Sequence, residues 1–171
     1  MNPRSCGSCA LCCKLLHIEE IEKPAGVWCS QVRFGHGCGI YESRPNACRA
    51  FRCNWLNHAG LDDSWRPDRA GFVLWTPSPK LLLVVVEPTK SDAWRRKPYY
   101  AQLKDWSKTA LTGQGMVLVK VRQDATVLLP QSDIHIGPIA AADTVTVGAE
   151  QSGRGWVDVT REDASVTRHG A

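Results

Sequence analysis

Residues 6–13 read Cys-Gly-Ser-Cys-Ala-Leu-Cys-Cys, which places four thiols at Cys6, Cys9, Cys12 and Cys13. Cys29, Cys38, Cys48 and Cys53 complete the eight cysteines, and all of them lie in the first third of a 171-residue chain. Thiols separated by two residues can turn back onto one centre, and as thiolates they are soft ligands for zinc or for an iron–sulfur cluster. A disulfide-stapled domain rarely begins with a vicinal pair at such tight spacing. Eight thiolates suffice for two closed four-coordinate zinc sites, although a zinc ribbon usually carries two separated pairs where this chain has one tight group. Cys6, Cys9 and Cys12 also have the spacing of the first three ligands of bacterial [4Fe–4S] motifs, with Cys48 or Cys53 available as a remote fourth. There the usual continuation fails, because Cys13 follows directly. Zinc and an iron–sulfur cluster both stay open. Sulfurs around a zinc should stand about 3.5–4 Å apart, and those around a cubane roughly 6 Å apart. Both members of a vicinal pair rarely serve one mononuclear site. Cys13 is therefore expected to bind a second centre, to bridge, or to act as a spare thiol for redox exchange.

A thiolate-rich site is negatively charged and calls for cations and N–H groups around it. Arg44, Arg49 and Arg52 surround Cys48 and Cys53, and Lys14 follows Cys13. Arg44 and Arg49 are expected to act on the bound metal or cluster as counter-charges, whereas Arg52 and Lys14 suit a solvated face equally well. His17, His36 and His58 could complete a mixed site. His36, in the loop Gly35-His36-Gly37-Cys38-Gly39, is best placed, but enough thiols exist without it.

The elements that must position these groups are short. Leu11, Leu15 and Ile18 recur at helical spacing until Pro24-Ala25-Gly26 ends the stretch. Ser43-Arg44-Pro45 reads as a helix start, and that helix should carry Cys48, Phe51 and Trp55 on one side. Cys53 lies about 140° around such a helix from Cys48. Either the helix ends near Phe51 or Arg52, or the two thiols serve different centres. Residues 1–66 hold little branched apolar material, so metal ligation is expected to substitute for an ordinary core. Residues 67–148 read as strand, strand, helix, strand, strand: Phe72–Trp75, Leu81–Glu87, a helix through Tyr99, Leu103, Trp106 and Ala110, then a hairpin of Met116–Val121 and Ala125–Leu129. Ile134–Ile136 and Val145–Val147 are weaker strand candidates. Residues 149–171 read as a polar tail. The expected fold class is α+β, a small metal-stabilised cysteine module (1–66) packed on a compact β-β-α-β-β unit (67–148). The tryptophans from Trp55 to Trp75 suit docking of one module on another, and Asp62, Asp63, Asp68 and Arg69 read as loop and cap residues.

The Cys-x2-Cys-x2-Cys-Cys block, followed by Cys38-Gly-Ile-Tyr41, Arg44-Pro45, Cys48-Arg49-Ala-Phe51 and Cys53, resembles the CxxCxxCC cysteine-cluster family, also called YkgJ-like. Cys29 falls where that family has an intermediate cysteine. The resemblance covers about residues 4–56 and implies a zinc- or iron-chelating module, with no defined reaction. It also strengthens Arg44, which belongs to the Arg-Pro pair of the pattern.

The formal net charge of +4 and pI near 8.7 are too mild to imply nucleic acid as a partner. Eight thiolates on two zinc ions would bring the net charge to about zero. The longest apolar run, Leu81–Val86, is too short to cross a bilayer, and Met-Asn-Pro-Arg-Ser-Cys carries no apolar leader stretch. The expected compartment is the reducing cytoplasm, where clustered thiols favour metal over disulfide. No Walker loop, G-x-S-x-G, HExxH or dinucleotide fingerprint is present. The sequence thus leads to a metal-binding cysteine-cluster protein, with a possible protein partner. Its alternatives are an iron–sulfur redox or electron-transfer subunit and a zinc chelation or delivery module.

Overall fold

The structure is a computed structural model and describes residues 4–150 and 155–170. The chain is mixed helix and sheet and divides into two compact units, Met1–Trp75 with Val85–Trp94, and Thr76–Val84 with Arg95–Ala171. This differs from a cut at residue 66. The first unit takes up Pro67–Trp75 and Val85–Trp94, because buried Phe72, Val73, Leu74, Val86 and Trp94 supply the branched and aromatic bulk that residues 1–66 lack.

The first unit has little regular structure. Its helices are α1 (Leu11–Leu15), α2 (Asn46–Ala50), α3 (Asn54–Asn57) and α4 (Pro67–Ala70), and its hairpin pairs β1 (Val32–Arg33) with β2 (Gly37–Cys38). Leu11 and Leu15 are buried on α1 as their spacing requires; Ile18 is also buried, beyond the helix, in a single bridge to Lys23. Pro45 is the N-cap residue of α2, and the first two N–H groups of α2, from Asn46 (2.9 Å) and Ala47 (2.6 Å), donate to the Glu20 carboxylate. An acidic group at that end also suits the helix dipole. Phe51 is extended, so α2 stops at Ala50 and Trp55 falls on a separate helix. Cys53 begins that helix as the N-cap residue of α3. Asp62 accepts from Ser64 N at 2.7 Å, the capping role read for it. Trp65 meets Phe72 edge-on at 6.1 Å.

The second unit is built around α5 (Tyr99–Thr112) and sheet. Strands β3 (Phe72–Ser78) and β4 (Leu81–Val86) straddle the division of the chain; β5 (Met116–Val121), β6 (Asp124–Leu128) and β7 (Asp133–Pro138) follow in a sheet of order β3-β4-β5-β6-β7. The β5–β6 hairpin closes between Val121 and Asp124 with Arg122 left-handed at φ 59°, as a two-residue hairpin loop demands. Strands β8 (Thr144–Ala149), β9 (Gly155–Thr160) and β10 (Val166–Gly170) form an antiparallel sheet of order β10-β9-β8. The last residues are therefore strand where a polar tail was expected. Val157 and Val159 are fully buried with Val127, Ala125 and Leu118, while Asp158 faces outward and pairs with Arg168. The alternation Trp156-Val-Asp-Val159 has the period of a half-buried strand, but only two side chains of it are aliphatic. Residues 151–154 and 171 of the expected tail lie outside the described residues.

Candidate metal centre

The first unit folds its short elements so that one cavity of about 540 Å3 is lined by all eight cysteines: Cys6, Cys9, Cys12, Cys13, Cys29, Cys38, Cys48 and Cys53. All are free thiols; Cys9, Cys29 and Cys53 are buried and the other five half-buried. Gly7, at φ +51°, closes the turn in which Cys9 N donates to Cys6 O at 2.9 Å. Cys12 and Cys13 sit on α1. Cys29 N donates to Cys13 O (3.1 Å), Val32 N donates to Cys29 O (3.1 Å), and Val32 pairs with Cys38 across the hairpin. Far along the chain, the Arg4 guanidinium donates to Trp55 O at 2.8 Å, His58 O at 3.0 Å and Leu61 O at 2.5 Å, which ties the segment leading into Cys6 to α3 and the loop after it, behind Cys53.

The thiols act on one another. The Cys12 S–H donates to Cys13, and this contact, burial and the neighbouring Cys13, Cys6 and Cys9 push the Cys12 thiol well up. The same hydrogen bond, helped by Lys23 and opposed by burial, brings Cys13 down to about 7. Burial pushes Cys9 up, while the N–H groups of Leu11 and Asp68 aimed at its sulfur pull the other way. Cys53 likewise rises through burial and the proximity of Cys6, against N–H donation from Leu56 and Trp55. Cys48 rises through burial and through Cys13, Cys29 and Cys38. The Tyr41 hydroxyl hydrogen-bonds to Cys6; burial and that thiol push its pKa up. N–H groups directed at sulfur are what thiolate ligands require around them.

Cations complete the surroundings. Arg44, Arg49 and Arg52 line the cavity, and no aspartate or glutamate among the described residues does. The Arg44 guanidinium donates to Tyr41 O at 2.5 Å and lies 3.8 Å over the Tyr41 ring; Arg49 donates to Arg44 O (2.9 Å) and Glu42 O (2.8 Å); Arg52 donates to Asn57 Oδ1 (2.8 Å). All three are held by neutral oxygens, so their charge is left to act on the cavity. Lys23, which nothing in the cysteine spacing singled out, is buried; its ammonium donates to Lys14 O and Leu16 O. Burial pushes its pKa down, and the neighbouring Cys13, Cys29, Cys12 and Cys48 pull it back. Lys14, by contrast, is paired with Glu87 at 2.8 Å. Trp55, buried on the cavity wall, keeps an indole N–H with no acceptor among the described residues. Of the histidines, His17 lines the cavity and is exposed, whereas His36, favoured on sequence, is exposed and does not line it. Trp75 lines the cavity too and meets Phe51 edge-on at 5.4 Å.

Among the described residues, no three cysteine, histidine, aspartate or glutamate side chains are drawn together tightly enough to hold a single bare ion. The thiols form a wall around a space. Their donor chemistry fits zinc or an iron–sulfur cluster: an all-sulfur set, N–H groups on two of the sulfurs, an orphaned indole N–H, and a lining with three arginines and, among the described residues, no carboxylate. No described helix is long and apolar enough to cross a membrane. The chain matches no family model, no curated protein and no solved structure.

Proposed function

We propose that this chain is a metal-binding cysteine-cluster protein that holds zinc or an iron–sulfur cluster in its first unit, as its resemblance to the CxxCxxCC family implies. One observation carries the reading: eight thiols from five separate stretches of chain line a single cavity. Eight buried or half-buried thiols beside one another, with Lys23 and three arginines that no carboxylate neutralises, form an arrangement that thiolate ligation to a cation explains. The cysteines hold the centre, Tyr41 and the N–H groups of Leu11, Asp68, Leu56 and Trp55 orient and moderate the sulfurs, and Arg44, Arg49 and Lys23 offset their charge. Metal and sulfide analysis of the full chain purified without oxygen should give stoichiometric zinc or iron. Protein free of both would refute the reading.

An iron–sulfur redox protein is the second reading, favoured by the cavity's size. A space of about 540 Å3 accommodates inorganic sulfide with its irons as well as bare ions. It predicts a brown protein with an absorption band near 400 nm, on the order of typical clusters, that reductant bleaches. A colourless protein with tightly held zinc would exclude it.

A further inference from the structure

We infer that the eight thiols form two four-thiolate centres, divided between the vicinal pair: Cys6, Cys9, Cys12 and Cys53 bind one, and Cys13, Cys29, Cys38 and Cys48 bind the other. The division rests on the metal-binding reading and goes beyond it.

Cys12 and Cys13 are successive residues of α1, so their Cα–Cβ bonds leave the helix about 100° apart. Each can lead a separate set. The backbone then sorts the rest. A continuous path of hydrogen bonds runs from Cys13 O to Cys29 N, from Cys29 O to Val32 N, and across the hairpin register to Cys38. Cys48 joins this set through α2, whose first N–H groups are held by Glu20, in the loop that also carries Lys23. On the other side, the Cys6–Cys9 turn runs directly into Cys12, and Arg4 fastens that segment to the carbonyls of Trp55, His58 and Leu61 behind Cys53. Cys48 lies near Cys13, Cys29 and Cys38, Cys53 lies near Cys6, and Cys12 lies near Cys6 and Cys9 as well as in contact with Cys13.

Charge agrees with the number of centres. A zinc tetrathiolate and an oxidised cubane with four thiolates each carry a net charge of about −2. Two such centres match four cations, Lys23, Arg44, Arg49 and Arg52, none of which has a carboxylate ion-pair partner among the described residues.

The test begins with metal and sulfide content of the anaerobically purified full chain: about two zinc ions, or about eight irons with eight sulfides, per chain. Cys53→Ser should halve the content. Adding Cys9→Ser, within the same set, should lose no more, whereas adding Cys38→Ser should abolish binding. A second measurement needs no variant. When a chelator strips the wild-type chain in steps, alkylation mapped by mass spectrometry should expose the thiols in two sets with the membership given above. One centre per chain, exposure of all eight thiols together, or sets that mix Cys12 with Cys29 or Cys38 would overturn the division and leave metal binding intact. A chain without metal would overturn both.

Discussion

Lys23 and Glu87 show how single residues of this chain are held by charges of opposite kinds. Lys23 is buried against the carbonyl oxygens that accept from it, and its neighbouring acidic groups are thiols, so its ammonium is further stabilised when those thiols are thiolates. Lys23→Met is expected to speed chelator-driven metal loss by about 10–100-fold, the usual effect of removing a partner from around the ligands; a zinc-dye or absorbance time course measures it. Glu87 is the conventional case. Burial raises its pKa, but hydrogen bonds from the Lys14 ammonium (2.8 Å) and Thr89 N overcome this and hold the carboxyl below its ordinary value of 4.5. A depressed folded pKa gives stability that is present above 4.5 and lost as pH falls through the folded value. Glu87→Gln should therefore cost about 1–2 kcal/mol at neutral pH. In denaturant titrations at a series of pH values, the gap from wild type should close on the acid side.

At the scale of elements, the first unit depends on close backbone approach and the second on strand alternation. Gly37, at φ +91°, opens β2 beside Cys38, and a Cβ there would overlap the carbonyl oxygen of Gly7, next to Cys6. The hairpin and the first cysteine turn touch through their backbones. Gly37→Ala should destabilise the fold by about 2–4 kcal/mol through strain and overlap together, and should lower metal content as well. Thermal melts with metal analysis of the same sample check both. In β9, Val157 is fully buried among Val127, Ala125 and Leu118. Val157→Ala removes two methyl groups from that core and should cost about 2 kcal/mol with unchanged metal content. The same measurements would show whether the two effects are separable.

For the molecule as a whole, the decisive quantity is charge. Counted with neutral thiols the chain carries +4 and a pI near 8.7. Two centres of net charge about −2 each would cancel this. Native isoelectric focusing should therefore find the metal-loaded protein near neutral pH and the metal-free, reduced protein near 8.7; equal mobility of the two would contradict thiolate ligation. Much of this was legible in the sequence. Clustered thiols and the Arg-Pro start of α2 are local signals, and so are the apolar runs of β4 and β5 and the 3.6-residue repeat of α5. They determined the α+β class and the set of cysteines, because periodicity and ligand spacing act over a few residues. The remainder depends on contacts between segments far apart in the chain. Residues 67–75 and 85–94 join the first unit because its core needs their bulk. The last described segment, 155–170, forms the β9–β10 hairpin because Val157 and Val159 find apolar partners some 30 to 40 residues away. Cys53 meets Cys6, and Lys23 comes to face four thiols, because hydrogen bonds from Arg4 and from Lys23 itself reach carbonyls that no sequence pattern connects to them.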